Sequence, residues 1–76
     1  GAEESRVAVA EGAVVRRGPL TGVFVVDEGG IARLRWITTG ETREGRVEVL
    51  TGLSEGERVV TAPPASLEDG RRVEVR

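Results

Sequence analysis

Val23-Phe24-Val25-Val26-Asp27-Glu28-Gly29-Gly30-Ile31-Ala32-Arg33-Leu34-Arg35-Trp36 decides the fold. Val23 to Val26 is apolar on both faces, as in a central strand covered on both sides. Asp27 to Gly30 then supplies a turn, with two glycines able to take positive φ. From Ile31 the pattern alternates, and the reading continues it as one strand to Thr39. Ala32, Leu34 and Trp36 fall on one face, Ile31, Arg33, Arg35 and Ile37 on the other. The Trp36 face is expected to be core. This is a β-hairpin, and the rest of the chain follows the same logic.

Upstream, Val7-Ala8-Val9 reads as a short strand, Glu11-Gly12 as a break, Ala13-Val14-Val15 as an extended run and Gly18-Pro19 as a turn. Residues 1–6 read as a frayed or vector-derived lead, and residues 7–76 as one β domain. Downstream, Gly40 to Gly45 reads as a polar loop. Arg46-Val47-Glu48-Val49-Leu50 is a strand with Val47 and Val49 inward and Arg46 and Glu48 outward. Pro63-Pro64 excludes a helix there.

A short repeat closes the chain. Leu53-Ser54-Glu55-Gly56-Glu57-Arg58-Val59 matches Leu67-Glu68-Asp69-Gly70-Arg71-Arg72-Val73, with Leu, Gly and Val recurring 14 residues apart (67−53, 70−56, 73−59). The Leu is expected to plug a core edge, the Gly to take a strained turn position, and the Val to start a half-buried strand. The fold class is therefore all-β: a small barrel-like or sandwich domain of about six or seven short, mostly antiparallel strands. Its core is expected to contain Trp36, Phe24, Leu34, Val25, Val47, Val49, Leu53 and Val59.

Composition narrows the chemistry. The chain has 76 residues, 38% hydrophobic and 32% charged, enough for one domain with a thin core. It contains no cysteine, histidine or methionine, so disulfides, thiolate chemistry and soft or borderline metal sites have no ligands. The carboxylate pairs Glu3-Glu4, Glu55 with Glu57 and Glu68-Asp69 lack the spacing of a calcium loop. Ser5, Ser54 and Ser66 have no histidine or lysine to activate them. No enzyme, no metal and no cofactor is expected. All 11 basic residues are arginine, against 13 acids, for a net charge of −2. That balance argues against a nucleic-acid partner. The alternative of a free-standing small barrel that binds nucleic acid or oligosaccharide requires an exposed Trp36 or a continuous arginine stripe.

Taken together, Val9 to Val15, Gly22 to Asp27, Arg35 to Gly40, Val47 to Val60 and Leu67 to Val73 form one pattern. It resembles the C-terminal part of periplasmic adaptor proteins, also called membrane-fusion proteins, of resistance-nodulation-division (RND) efflux pumps. The most specific piece is Gly52-Leu53-Ser54-Glu55-Gly56-Glu57-Arg58-Val59-Val60, similar to a Gly-Leu-x-x-Gly-x-x-Val-Val core that follows a short strand in that family. Ala10 departs from the pattern, standing where the family usually has proline.

The resemblance implies a membrane-proximal β domain without enzymatic activity, periplasmic and associated with the inner membrane. Its expected partners are an inner-membrane transporter, RND type or the ATP-driven (ABC) type, and other adaptor protomers. An outer-membrane channel is reached through upstream domains absent from this chain. Partner contact is expected from Arg33 and Arg35, which alternation sets opposite the Trp36 face. It is also expected from Arg16, Arg17 and Leu20, since Leu20 has no obvious place in the core. The bland reading of Arg33 and Arg35 is pairing with Glu48 across the sheet.

Overall fold

The computed structural model describes residues 7–73. The expectations for residues 1–6, including Glu3-Glu4 and Ser5, lie outside the described residues. Eight strands run in chain order: β1 (Val7–Ala10), β2 (Val15–Arg17), β3 (Leu20–Val26), β4 (Ile31–Trp36), β5 (Thr38–Arg43), β6 (Arg46–Thr51), β7 (Arg58–Val59) and β8 (Arg71–Arg72). One 3-10 turn, Glu11–Ala13, follows β1. The strands form two antiparallel sheets that curl into a barrel-like unit. One has the order β1-β6-β5; the other runs β2-β3-β4-β8, with β7 added on β3. This is the expected all-β class, and the two-residue strands β7 and β8 bring the count to eight.

The β3–β4 hairpin is in the expected place, with Phe24 opposite Leu34 and Val26 opposite Ala32. Asp27 builds its turn. One carboxylate oxygen accepts the N–H groups of Gly29 and Ile31, both at 2.9 Å, and Gly30 takes a φ of 83°. These bonds favour the ionised carboxylate. The Ile31 N–H is the largest influence holding Asp27 below the usual carboxylate range, with Gly29 and then Arg33 adding to it.

Strand alternation explains how both faces of β3 are buried. Val23 and Val25 turn toward the other sheet and pack with Val9, Ala13, Ile37, Val47 and Val49. Phe24 turns the opposite way, into a second cluster with Ala32 and Leu67. Phe24 and Val23 are the largest fully buried side chains. Of the other expected core residues, Leu34, Leu53 and Val59 are half-buried against these clusters.

Trp36 is a correction. It lies on the Phe24 face, as alternation requires, but is 44% exposed. The Leu67 segment covers Phe24 and Ala32 and does not extend over Trp36. Ile37, read as part of the arginine face, is instead buried at the point where the chain leaves one sheet for the other; its N–H donates to the Thr21 carbonyl at 2.9 Å.

The polar loop from Gly40 to Gly45 is a second correction, because β5 runs through it to Arg43. The actual turn is the pair Glu44-Gly45, with φ of 54° and 79°. Two positive φ values mark a tight hairpin turn whose twist matches the flanking strands. β5 is an edge strand with irregular register against β6. Its side chains are almost all exposed, so it needs no apolar alternation and carried none for the sequence reading to detect.

The repeat has matching geometry in both copies. Gly56 and Gly70 take φ of 91° and 89°. Glu57 N–H bonds to the Ser54 carbonyl at 3.3 Å, and Arg71 N–H bonds to the Glu68 carbonyl at 3.2 Å. The copies serve opposite cores. Leu53 and Val59 pack on the inter-sheet cluster, Leu67 and Val73 on the Phe24 cluster. Val59 ends its short strand, and Val73 follows its own, rather than starting it.

Candidate partner-binding surface

The five candidate residues spread along the β3–β4 sheet: Arg33, opposite Val25, lies near the hairpin turn, Arg35, opposite Val23, lies midway along β3, and the other three lie at the far end. Arg33 and Arg35 sit on β4. Arg16, Arg17 and Leu20 sit at the β2–β3 turn. β3 runs from Leu20 at one end to Val26 at the other, about 20 Å at 3.3 Å per residue.

Arg35 is engaged within the domain. Its guanidinium pairs with Glu57 at 2.5 Å and donates to the Gly52 carbonyl at 3.4 Å. Glu57 also accepts the Ser54 N–H at 2.8 Å. The Arg35 hydrogen bond, then that of Ser54, holds the Glu57 carboxyl below its ordinary value. Arg35 therefore latches β4 to the first copy of the repeat. Arg33 has a different setting. Its side chain is 55% exposed, and its contact with Asp27 is longer, at 3.4 Å. An exposed pair of this kind contributes little stability. Neither arginine has the Glu48 partner of the bland reading; Glu48 lies on β6, in the other sheet. Two further exposed arginines stand near Arg33 on β8. Arg71 reaches Glu68 at 3.5 Å, and Arg72 donates to the Gly29 carbonyl at 2.9 Å. In the sequence Arg71-Arg72 reads as a local basic pair with acids interleaved nearby. Only their pairing with β4, Ile31 to Arg72 and Ala32 to Arg71, brings them to this end.

At the opposite end, Leu20 is 47% exposed. Register pairs Arg17 with Leu20 and Val15 with Gly22 on β2–β3, and Gly22 with Trp36 on β3–β4. Cross-strand partners share a face, so Arg17, Leu20 and Trp36 lie on one surface. Arg16 pairs with Thr21 on the other face and donates to its hydroxyl at 3.3 Å. The sequence reading missed Trp36 here because it assigned the ring to the core. A glycine opposite it, leaving no side chain to cover it, was the available signal.

Among the described residues, no three carboxylates cluster in a way that could hold a metal ion. No helix among them is long and apolar enough to cross a membrane.

The model of the YknX C-terminal permuted SH3-like domain matches residues 6–75. The chain belongs to this family. It is a domain of membrane-fusion or adaptor proteins, and its small SH3-like barrel agrees with the two curled sheets. Comparison with curated proteins gives no match. The exposure of Trp36 meets the requirement of the small-barrel alternative, but nothing else here favours a nucleic-acid or oligosaccharide partner. The family membership favours the adaptor.

Proposed function

We propose that this YknX-type domain is a non-catalytic docking module of a periplasmic adaptor associated with the inner membrane. It holds the adaptor against the extracytoplasmic surface of an inner-membrane transporter, RND or ABC type. Further adaptor protomers and upstream domains complete the link to an outer-membrane channel. Family membership is the observation that carries the adaptor role.

The exposed setting of Arg33 supports the turn end of β3–β4 as the docking surface. Arg33 can exchange a long, solvent-exposed contact with Asp27 for a partner carboxylate at little cost. A planar guanidinium is well suited to that exchange. Arg72, opposite Ile31, extends the same face of the sheet. Arg35 leaves the docking set, because the Glu57 latch occupies it.

The test is co-purification of the transporter with the full-length adaptor carrying Arg33→Glu. Transporter recovery should fall while the far-UV circular dichroism of the domain stays unchanged. Normal recovery and normal export with that variant would overturn the docking surface. Arg35→Glu is unsuitable for this test, since it also removes the contacts with Glu57 and the Gly52 carbonyl.

A further inference from the structure

The β2–β3 end has a chemistry that transporter docking does not use. Residues 12–26 contain two arginines and no acid, in a chain with 13 acids and a net charge of −2. The turn between β2 and β3 projects outward: Gly18 has a φ of 58°, and a Cβ at that position would meet nothing within 4 Å. Behind it, Leu20 and Trp36 are two of the three exposed large hydrophobics among the described residues. The indole lies across Gly22, where an added Cβ would come within 2.9 Å of the ring. Half-buried Val15 and Leu34 lie beneath and join this surface to the Phe24 core.

We propose that the β2–β3 tip, with Trp36, is a membrane-contacting surface that enters the headgroup layer of an anionic bilayer. The placement of the arginines favours a lipid plane over a protein partner. Arg16 and Arg17 project from opposite faces of a two-stranded ribbon, so one carboxylate on a partner cannot meet both. A continuous anionic plane meets both when the tip enters end-on. Arg16 is held only by the neutral Thr21 hydroxyl, and Arg17 by no described side chain.

The order of side chains along the tip fits the same geometry. Leu20 adjoins the turn, and Trp36 stands opposite Gly22, two residues or about 7 Å further back. Leucine then reaches the acyl boundary while the indole stays at headgroup level, the depth tryptophan prefers. The tip is convex. Two concave surfaces lie elsewhere, one lined by Val7, Ala8, Glu41, Arg43, Arg46 and Glu48 and a smaller one bounded by Leu53 and Val59. Asp69 is an acid in contact with β4. It sits further along β4, where its carboxylate accepts the Leu34 N–H at 2.8 Å.

Trp36 is the only tryptophan, so it reports contact without a label. The 76-residue chain is mixed with vesicles of phosphatidylcholine alone and of phosphatidylglycerol with phosphatidylcholine. The anionic vesicles should shift Trp36 emission to the blue, and brominated lipid should quench it. Each arginine near an anionic surface contributes on the order of 5-fold in binding, so Arg16→Ser with Arg17→Ser should weaken partitioning roughly 30-fold. Leu20→Ser should weaken it on both vesicle types. Unchanged emission on anionic vesicles, or equal partitioning of the double arginine variant, would overturn the proposal. So would loss of transporter co-purification in that variant with no vesicle effect, which would make the tip a protein contact. The Arg33→Glu experiment reads the docking surface separately, so either reading can fail without the other.

Discussion

Replacing Phe24 or Trp36 by alanine compares the two aromatic residues of the chain, which share a sheet face and differ in cover. Phe24 is 1% exposed and packs on Ala32 and Leu67. Its truncation leaves a closed cavity and should cost ~3–5 kcal/mol. A domain of this size has a total stability on the order of 4–11 kcal/mol, so Phe24→Ala removes a large share of it. Trp36 is 44% exposed. Scaling the same truncation by buried fraction gives roughly half, and water can refill the open site, so ~1–2 kcal/mol is expected. At ~4–8 °C per kcal/mol, Phe24→Ala should lower the melting midpoint by roughly 12–40 °C and Trp36→Ala by roughly 4–16 °C. Thermal unfolding followed by far-UV circular dichroism reads both without relying on indole emission. Equal losses in the two variants would refute the argument that the Leu67 segment stops short of Trp36.

Gly52 has a φ of 101°, and a Cβ there would stand 2.5 Å from the Trp36 carbonyl oxygen; Gly52→Ala should therefore destabilise by more than ~3 kcal/mol, while Gly18→Ala, strained but in open space, costs ~1–2 kcal/mol, as checked by urea denaturation. The folded Glu57 carboxyl is held low by Arg35, so its stabilisation is fully present above the ordinary glutamate value of 4.5 and is lost as pH falls through the lower folded value. The gap in melting midpoint between the wild type and Glu57→Gln should thus narrow from pH 7 toward pH 3; a constant gap would contradict the latch. Asp69→Ala removes the acceptor for the Leu34 N–H and should cost ~0.5–1.5 kcal/mol. Hydrogen exchange at the Leu34 amide should accelerate in that variant, and unchanged protection would show that the carboxylate does not close the edge of β4.

Much of the fold was legible because its signals are local. Asp27 to Gly30 carries turn chemistry in its own residues, and the double-sided burial of β3 follows from four adjacent apolar side chains. The Leu-Gly-Val repeat predicted two similar turns, and Gly56 and Gly70 differ by only 2° in φ (91° and 89°). What was not legible depends on distant cover. Alternation gives Trp36 a face, but only the path of residues 60–70 determines how far along β4 that face is buried. β5 escaped notice because an exposed edge strand needs no apolar period. The candidate surface divided for the same reason. Arg33 and Arg35 are equivalent in sequence, yet Glu57, 22 residues beyond Arg35, ties down one and leaves the other exposed.

The central claim is that the domain docks at the β3–β4 turn end while its β2–β3 tip meets lipid. Site-specific photocrosslinking in the membrane-embedded full-length adaptor tests this most directly, with a photoreactive residue at position 33 in one variant and at position 36 in another. Position 33 should crosslink to the transporter, and position 36 should crosslink to phospholipid with little transporter product. Strong transporter crosslinks from position 36 and none from position 33 would contradict the assignment of the two ends.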